Sequence, residues 1–390
     1  MPLFSIITTV YNNEKYIRNA IRSILIQDYQ DFEYIIIDDG STDNTPQILD
    51  DFASLDERIH VIHQKNQWIY AGFNNGIKAA KGKYIYILNS DDTMENDSLS
   101  KFASIIEKCT PDVIYTPILI HICDEYQNII IYDRLNFAKL VSKDEFINGK
   151  ELYRDNWIKL NKLKLVSNQA NLYRRELMVE HPFRNDVYGA DYLFNISIAE
   201  DINTAYIMKD PVYNFYEYNS EEMNASVAKY YEYEHSMFNE FYFLNKKLLQ
   251  KWNRYNEEAA RYCIKKRLSN YSHELKTLIS PRCKLSLEDK LRKIFNEYME
   301  DWIYKEVQAF NLEEEFEART LSGIRGLLCE ETLSNDSDMY FLFELLDGLL
   351  KYEKTERDYI NIERAVYNKN NPLHIGKIFY EKIKDNERFT

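Results

Sequence analysis

A chain of 390 residues exceeds what one ordinary domain needs and predicts about two domains. Its formal charge of −14 argues against a broad nucleic-acid surface, yet leaves room for a small anionic ligand held by a local site. The apolar fraction of 45%, with 32 tyrosines and 20 phenylalanines, is enough for a sizeable core. In chain order, Phe4 to Thr9 reads as a strand, and Ile17, Ile21, Ile24 and Leu25 share one face of a following helix. Tyr34 to Ile37 is a continuous apolar run, the pattern of a strand covered on both faces of a parallel sheet. It stops at Asp38-Asp39-Gly40-Ser41, and Thr42 to Pro46 then opens a helix with capping residues and an early proline. Ile59 to His63 is a third strand, Ala71 to Ala80 a helix, and Tyr84 to Leu88 a fourth strand ending at Asn89-Ser90-Asp91-Asp92.

This β-α-β-α-β-α-β order predicts an α/β fold with a doubly wound, mostly parallel sheet, Rossmann-like in its nucleotide-binding half. Ligands in such sheets bind beyond the carboxyl ends of the strands. Val10-Tyr11-Asn12, Asp38-Asp39 and Asn89 to Asp92 all fall at those ends and are expected to converge. Asp112 to Ile122 and Ile129 to Tyr132 are strand-like, and the polar run Tyr188-Gly189-Ala190-Asp191 follows. No glycine occurs between Gly189 and Gly323, while Phe238, Phe241, Leu244 and Leu248, then Leu291, Ile294, Phe295 and Tyr298, repeat at helical spacing. The expected division is therefore residues 1–227, with halves 1–105 and 106–227, followed by an all-helical domain over 228–390. Five scattered cysteines (Cys109, Cys123, Cys263, Cys283 and Cys329), without CxxC spacing, read as free thiols. Met1 leads straight into the first strand, and the most apolar later run, Tyr340 to Leu350, carries Glu344 and Asp347. Neither a signal peptide nor a membrane span is expected, which points to the cytoplasm.

Four segments carry a resemblance: Phe4 to Asn12, Ser23 to Tyr29, Ile36 to Asp43, and Gly82 to Asp92. In this order and spacing they resemble the nucleotide-binding half of family-2 glycosyltransferases of the GT-A fold; the resemblance covers residues 4 to about 105 and fades after about 225. It implies an inverting single displacement from a nucleotide sugar. It places Thr8, Val10 and Tyr11 around the nucleobase, Tyr11 stacking on it. Asp39 matches the carboxylate that accepts the uracil N3 proton, which favours UDP because adenine offers no such donor. Asn66 and Ser90 fall among the nucleotide-sugar positions. Asp92 would be the main ligand of Mn2+ or Mg2+, with Asp91 on the ribose or beside the metal.

The residues agree with that reading on physical grounds. A diphosphate in an acidic protein needs neutralising, and paired carboxylates can hold a hard divalent cation that bridges it. An isolated Asp91-Asp92 could instead cap a helix beginning near Thr93. Asp191 matches the downstream acidic position that deprotonates the acceptor hydroxyl, with capping of a helix start as the alternative. Four residues depart from the family pattern: Asn89 where an aspartate is common, Ala190 where an acid often precedes Asp191, and Trp68 and Phe73 where glycine and arginine are frequent. Lys65 or Lys78 could compensate for the arginine. Asn219, Asn224 and Ser226 follow Tyr213 to Tyr216, a stretch resembling the family's end-of-domain loop near the diphosphate. His121 and His181 lack metal-ligand spacing and read as structural.

The expected partners are a nucleotide-sugar donor and a hydroxyl acceptor on a surface glycan, a lipid-linked precursor or a protein. No nucleic acid is expected. Basic-aromatic clusters at Lys246-Lys247, Lys251-Trp252 and Lys265 to Arg267 could touch the inner face of a membrane, although solvated helix faces are the commoner use of such clusters. The C-terminal helices could bind acceptor or mediate oligomerisation. An alternative is a catalytically inert partner of another transferase that binds a nucleotide sugar, which Asn89, Phe73 and Ala190 favour. A nucleotidyltransferase is a third reading, disfavoured because no glycine-rich basic loop follows the first strand.

Overall fold

The computed structural model describes residues 1–124, 128–132, 140–218, 229–280, 282–286, 289–290, 293–298, 301–316 and 319–320. Asn219, Asn224, Ser226, Leu291, Cys329 and the run Tyr340 to Leu350 lie outside them. Two compact units result, Met1–Asn224 with Lys247–Arg254, and Ala225–Lys246 with the chain from Tyr255 onward.

In the first unit β1 (Phe4–Val10), α1 (Ile17–Leu25), β2 (Phe32–Asp38), α2 (Thr45–Leu55), β3 (Ile59–His63), α3 (Ile69–Ala79) and β4 (Tyr84–Ile87) alternate as expected. Every residue of β1, β2 and β4 is buried, because helices cover both faces of a parallel sheet. β5 (Thr93–Met94), α4 (Ser98–Cys109), β6 (Val113–Tyr115), β7 (Ile118–Cys123), β8 (Ile129–Ile131), β9 (Glu145–Asn148), α5 (Lys150–Lys162), β10 (Leu172–Arg174), α6 (Arg175–Glu180), α7 (Ala190–Ile198), β11 (Thr204–Ile207) and β12 (Tyr213–Tyr218) follow. The eight-stranded sheet runs β3-β2-β1-β4-β10-β6-β11-β9, and a four-stranded sheet runs β5-β12-β7-β8. β1 to β4 are mutually parallel, whereas β10 inserts antiparallel between β4 and β6.

Two expectations change here. The single strand-like run Asp112 to Ile122 is divided between the two sheets, because the chain leaves β6 at Thr116-Pro117, where a proline cannot extend a central strand. Tyr213 to Tyr216, matched to a loop, lies instead in strand β12, paired with β5 and β7.

Glycines set how closely the helices and turns pack on β1. A Cβ at Gly72 would lie 2.4 Å from Thr9 Cγ2 and one at Gly76 2.5 Å from Ile7 Cγ2, so α3 sits against β1 through its two glycines. At Gly82 the contact is with backbone: a Cβ would lie 2.5 Å from the Ser5 nitrogen and 2.6 Å from the Phe4 carbonyl carbon. The Gly82 N–H donates to Ser5 Oγ (2.8 Å), whose hydroxyl donates to the buried Glu33 carboxylate (2.6 Å).

The described part of the second unit is helical, with most of α8 (Glu234–Lys251), then α9 (Glu257–Ile279), a π-helical turn Lys293–Tyr298, and α10 (Asp301–Ala309). Asn256 caps α9, its side chain accepting from the Ala259 N–H at 2.9 Å. Arg267 and Glu274, both fully buried, pair at 2.7 Å, and His235 and Asn239 of α8 bond to the same pair. A buried ion pair adds little net stability, but removing one partner strands the other charge. Lys246 pairs with Glu306 at 2.6 Å, so Lys246 and Arg267 of the basic clusters are engaged within this unit. Among the described residues, Cys109, Cys123, Cys263 and Cys283 form no disulfide, and no helix is long and apolar enough to cross a membrane.

Gly82→Ala is expected to lower stability by about 1–3 kcal/mol, because the methyl meets backbone that has no room to move. Denaturant unfolding at unchanged slope measures the loss.

Candidate active site

The carboxyl ends of β1, β2 and β4 meet at one edge of the large sheet, as their parallel register requires. The loop after β1 ties them together. Asn12 adopts a left-handed φ of +47°, which asparagine tolerates, and its Oδ1 accepts from the Thr42 N–H at 2.6 Å. The Asn12 N–H donates to Ser41 Oγ, the Asn13 N–H donates to Thr45 Oγ1, and the Asn13 amide donates to Ser90 Oγ at 2.7 Å. Asn13 therefore links the turn after β4 to the loop after β2. Gly40, with φ of +81°, brings its backbone under Asn66; a Cβ there would lie 2.9 Å from the Asn66 nitrogen.

The residues matched to the nucleobase divide into two kinds. Tyr11 is half exposed and Asn66 exposed at this edge. Thr8 and Val10 are buried; the Thr8 hydroxyl donates to the Leu88 carbonyl at 2.7 Å and meets Tyr34 Oη at 2.9 Å. Those two side chains form the floor of the strand end. Asp39 is buried, its N–H donates to the Val10 carbonyl, and its Oδ1 accepts from Gln64 Nε2 (2.7 Å) and the Gln67 N–H (2.9 Å). Among the described residues nothing donates to Asp39 Oδ2, so a carboxylate oxygen remains for a ligand N–H. Asp38 is structural: Oδ1 accepts from the Ser41 N–H and Oδ2 meets His63 Nδ1 at 2.7 Å. That bond to Asp38 raises the His63 pKa above its ordinary 6.5.

No helix begins near Thr93. β5 occupies Thr93–Met94, and α4 starts at Ser98 after Asp97, so Asp91 and Asp92 cap nothing. Asp92 is fully buried and held from three directions: Tyr213 Oη and Asn89 Nδ2 (3.1 Å) donate to Oδ2, and the Tyr216 N–H donates to Oδ1 (3.0 Å). Asp91 is partly exposed, and Tyr218 Oη donates to its backbone carbonyl at 3.2 Å. Burial raises the Asp91 pKa; burial and then the Asp91 charge push Asp92 well above the usual carboxylate range. Two adjacent carboxylates strained in this way fit a hard divalent cation, which would favour their charged forms. Among the described residues no cluster of three or more metal-ligating side chains exists. Asp91 and Asp92 are the residues that would hold such a cation, through carboxylate oxygens. Asn89 supplies a hydrogen bond to Asp92 where a third carboxylate would repel it.

Asp191 lies in the first turn of α7, whose N-cap is Gly189, so it does not cap the helix. It faces Tyr70 of α3, whose hydroxyl lies 3.4 Å from Asp191 Oδ1. Ala190 is buried in the core. Phe73 is likewise buried, its ring 6.4 Å from Tyr70 and 5.9 Å from Phe183. Trp68 is partly exposed at the start of α3 with φ of +78°. Lys65 neighbours Asn66, and Lys78 occupies the last turn of α3, roughly 7.5 Å along the axis from Phe73. His121 is buried against Asn214, and His181 meets Asp201.

Sequence patterns do not point to Gln64, Gln67 or Tyr218, and they mark Tyr213 to Tyr216 only as a stretch near the diphosphate, without the bonds that Tyr213 and Tyr216 make to Asp92. Asn12 closes a matched motif and Asn13 follows it directly, but the tyrosines reach Asp91 and Asp92 across more than a hundred residues and leave no spacing signal.

Residues 5–180 match the family model described as Glycosyl transferase family 2. EpsH of Bacillus subtilis (strain 168) is 44% identical over 96 residues, 25% of this chain and 28% of that protein. Glycosyltransferase GlyG of Streptococcus pneumoniae serotype 4 is 39% identical over 113 residues, 29% of this chain and 38% of that protein. The chain thus spans well under two thirds of either relative. Among solved structures, S. aureus TarS 1-349 in complex with UDP-GlcNAc aligns with a TM-score of 0.52 at 18% identity, covering 82% of this chain and 89% of that one. This likeness is one of fold.

Tyr213→Phe is expected to cost roughly 1–3 kcal/mol, since it removes a donor from a buried carboxylate; the denaturant midpoint reads it. The His63–Asp38 contact predicts a pH dependence. A raised folded pKa gives stability that is complete below 6.5 and lost as pH rises through the folded value. Stability should therefore step down modestly between about pH 6 and about pH 8, and His63→Gln should remove that step.

Proposed function

We propose that this chain, whose residues 5–180 belong to glycosyl transferase family 2, transfers a sugar from a UDP-sugar to a hydroxyl acceptor by an inverting single displacement, with Mg2+ or Mn2+ at the diphosphate. One observation carries the reading: Tyr11, Asp39 and the Asp91-Asp92 pair arrive from three strands at one sheet edge, cross-tied through Asn13 and Ser90. The solved TarS complex with UDP-GlcNAc, on the same fold, supports a uridine donor.

In this reading Tyr11 stacks on the base and Asp39 Oδ2 accepts the uracil N3 proton, while Oδ1 stays with Gln64 and Gln67. Asn66 lines the same pocket. Asp91 reaches the ribose or the cation from its partly exposed position, with Ser90 alongside; Asp92, fixed by Tyr213, Asn89 and Tyr216, keeps an Oδ1 lone pair for the cation. Asp91 and Asp92 would hold the cation, which would supply positive charge against the charge that builds on the leaving diphosphate. Asp191 takes the proton from the acceptor hydroxyl as that oxygen attacks the anomeric carbon. The acceptor belongs to a surface glycan, a lipid-linked precursor or a protein side chain, and the helical unit binds it or mediates assembly.

A panel of UDP-sugars with and without Mn2+ tests this. Metal-dependent UDP release from one donor is the expected result; donor binding with no turnover, even with candidate acceptors, selects the inert binding partner instead. Asp92→Ala should abolish metal-dependent donor binding. Asp191→Asn should leave donor binding near normal and remove transfer, and unchanged turnover would dismiss it as the base.

A further inference from the structure

We propose that Tyr70 is a positioning residue that aims Asp191 for its reaction, an inference that rests on the reading of Asp191 as the base. Tyr70 is 7% exposed and lies in the first turn of α3. Its oxygen accepts the Gly189 N–H at 3.1 Å. A phenol has a single proton, and with Gly189 on the acceptor side that proton points to Asp191 Oδ1, 3.4 Å away. Burial and the nearby Asp191 charge raise the Tyr70 pKa, so the phenol stays protonated and acts as a donor.

The ring is fixed independently of its hydroxyl. It stacks on Phe183 at 5.8 Å and 23°, with Phe73 and Trp68 edge-on at 6.4 Å. Phe183 in turn stacks on Phe194 of α7 at 4.3 Å. Asn74, one turn further along α3, donates to the Phe183 carbonyl (2.7 Å) and accepts the Phe183 N–H (2.8 Å). α3 is thereby fastened to the segment that leads into α7. Its opposite attachment is Gln67, three residues before Tyr70, whose N–H binds Asp39. The residue assigned to deprotonating the acceptor thus meets α3, and the residue assigned to reading the base meets the segment just before it. Phe73, which stands where the family often carries arginine, belongs to this aromatic fastening.

The test is Tyr70→Phe, which keeps the ring and its stacking. With saturating substrates kcat should fall about tenfold, while donor KM stays within about twofold and the thermal midpoint confirms folding. A purely structural role would not divide kcat from KM in this way. Asn74→Ala, at a half-buried position where water can replace the lost bonds, is the second variant and should lower kcat in the same sense even if Tyr70→Phe fails to fold. Wild-type kcat in the folded variants, beside an inactive Asp191→Asn, overturns the positioning role alone. A rise in donor KM at unchanged kcat overturns it as well. Full turnover in Asp191→Asn removes the base assignment, and the role of Tyr70 falls with it.

Discussion

The buried carboxylate of Asp92 joins the two sheets of the first unit. It follows β4 of the large sheet, yet its bonds come from Tyr213 and Tyr216 of β12, in the small one. A carboxylate taken out of water must be hydrogen-bonded on most of its lone pairs, and three donors meet that demand. The same bonds determine where the turn Asn89 to Asp92 stands, and so where Asp91 emerges at the sheet edge. Charge remains the cost: two adjacent acids, one of them fully buried, are held above their ordinary pKa. Fold and electrostatics meet in this turn, because what strains the pair is what makes it suited to a cation.

Around that turn, the loops are stapled by side-chain amides and hydroxyls more than by apolar packing. Asn12, Asn13, Ser41, Thr42, Thr45 and Ser90 form a continuous set of bonds across the ends of three strands. Such bonds leave the loop backbone satisfied without helix or sheet, which lets it stay near solvent and still be placed. Two left-handed positions, Asn12 and Gly40, make the close approach possible. These bonds hold the loops at the sheet edge, and Asp191 is reached from that edge through Tyr70 of α3.

The departures from the family pattern acquire physical roles in this frame. Asn89 donates to Asp92, which a third carboxylate could not do in its charged form. Phe73 packs in an aromatic cluster with Tyr70 and Phe183, so the position holds the fastening of α3 in place of a cation. Ala190 is enclosed in the core, where an acid would be costly without a partner.

What could be read from the sequence alone was whatever depends on local pattern. Continuous apolar runs marked β1, β2 and β4 as doubly covered strands, their order implied a parallel sheet, and the motifs at their ends located Tyr11, Asp39, Asp91 and Asp92. Periodicity also distinguished a helical region after the sheet domain. Tertiary structure decided the rest, because it depends on contacts between residues far apart in the chain. Asp112 to Ile122 was divided between two sheets by pairing partners that no local pattern names. The absence of a helix at Thr93 followed from β12 claiming that segment as a strand. Tyr213, Tyr216 and Tyr218 reach the acidic turn, and Tyr70 reaches Asp191, only once strands and helices more than a hundred residues apart are packed together. Periodicity reports which face of an element is buried; which polar group then meets it is determined by the packing of the whole unit.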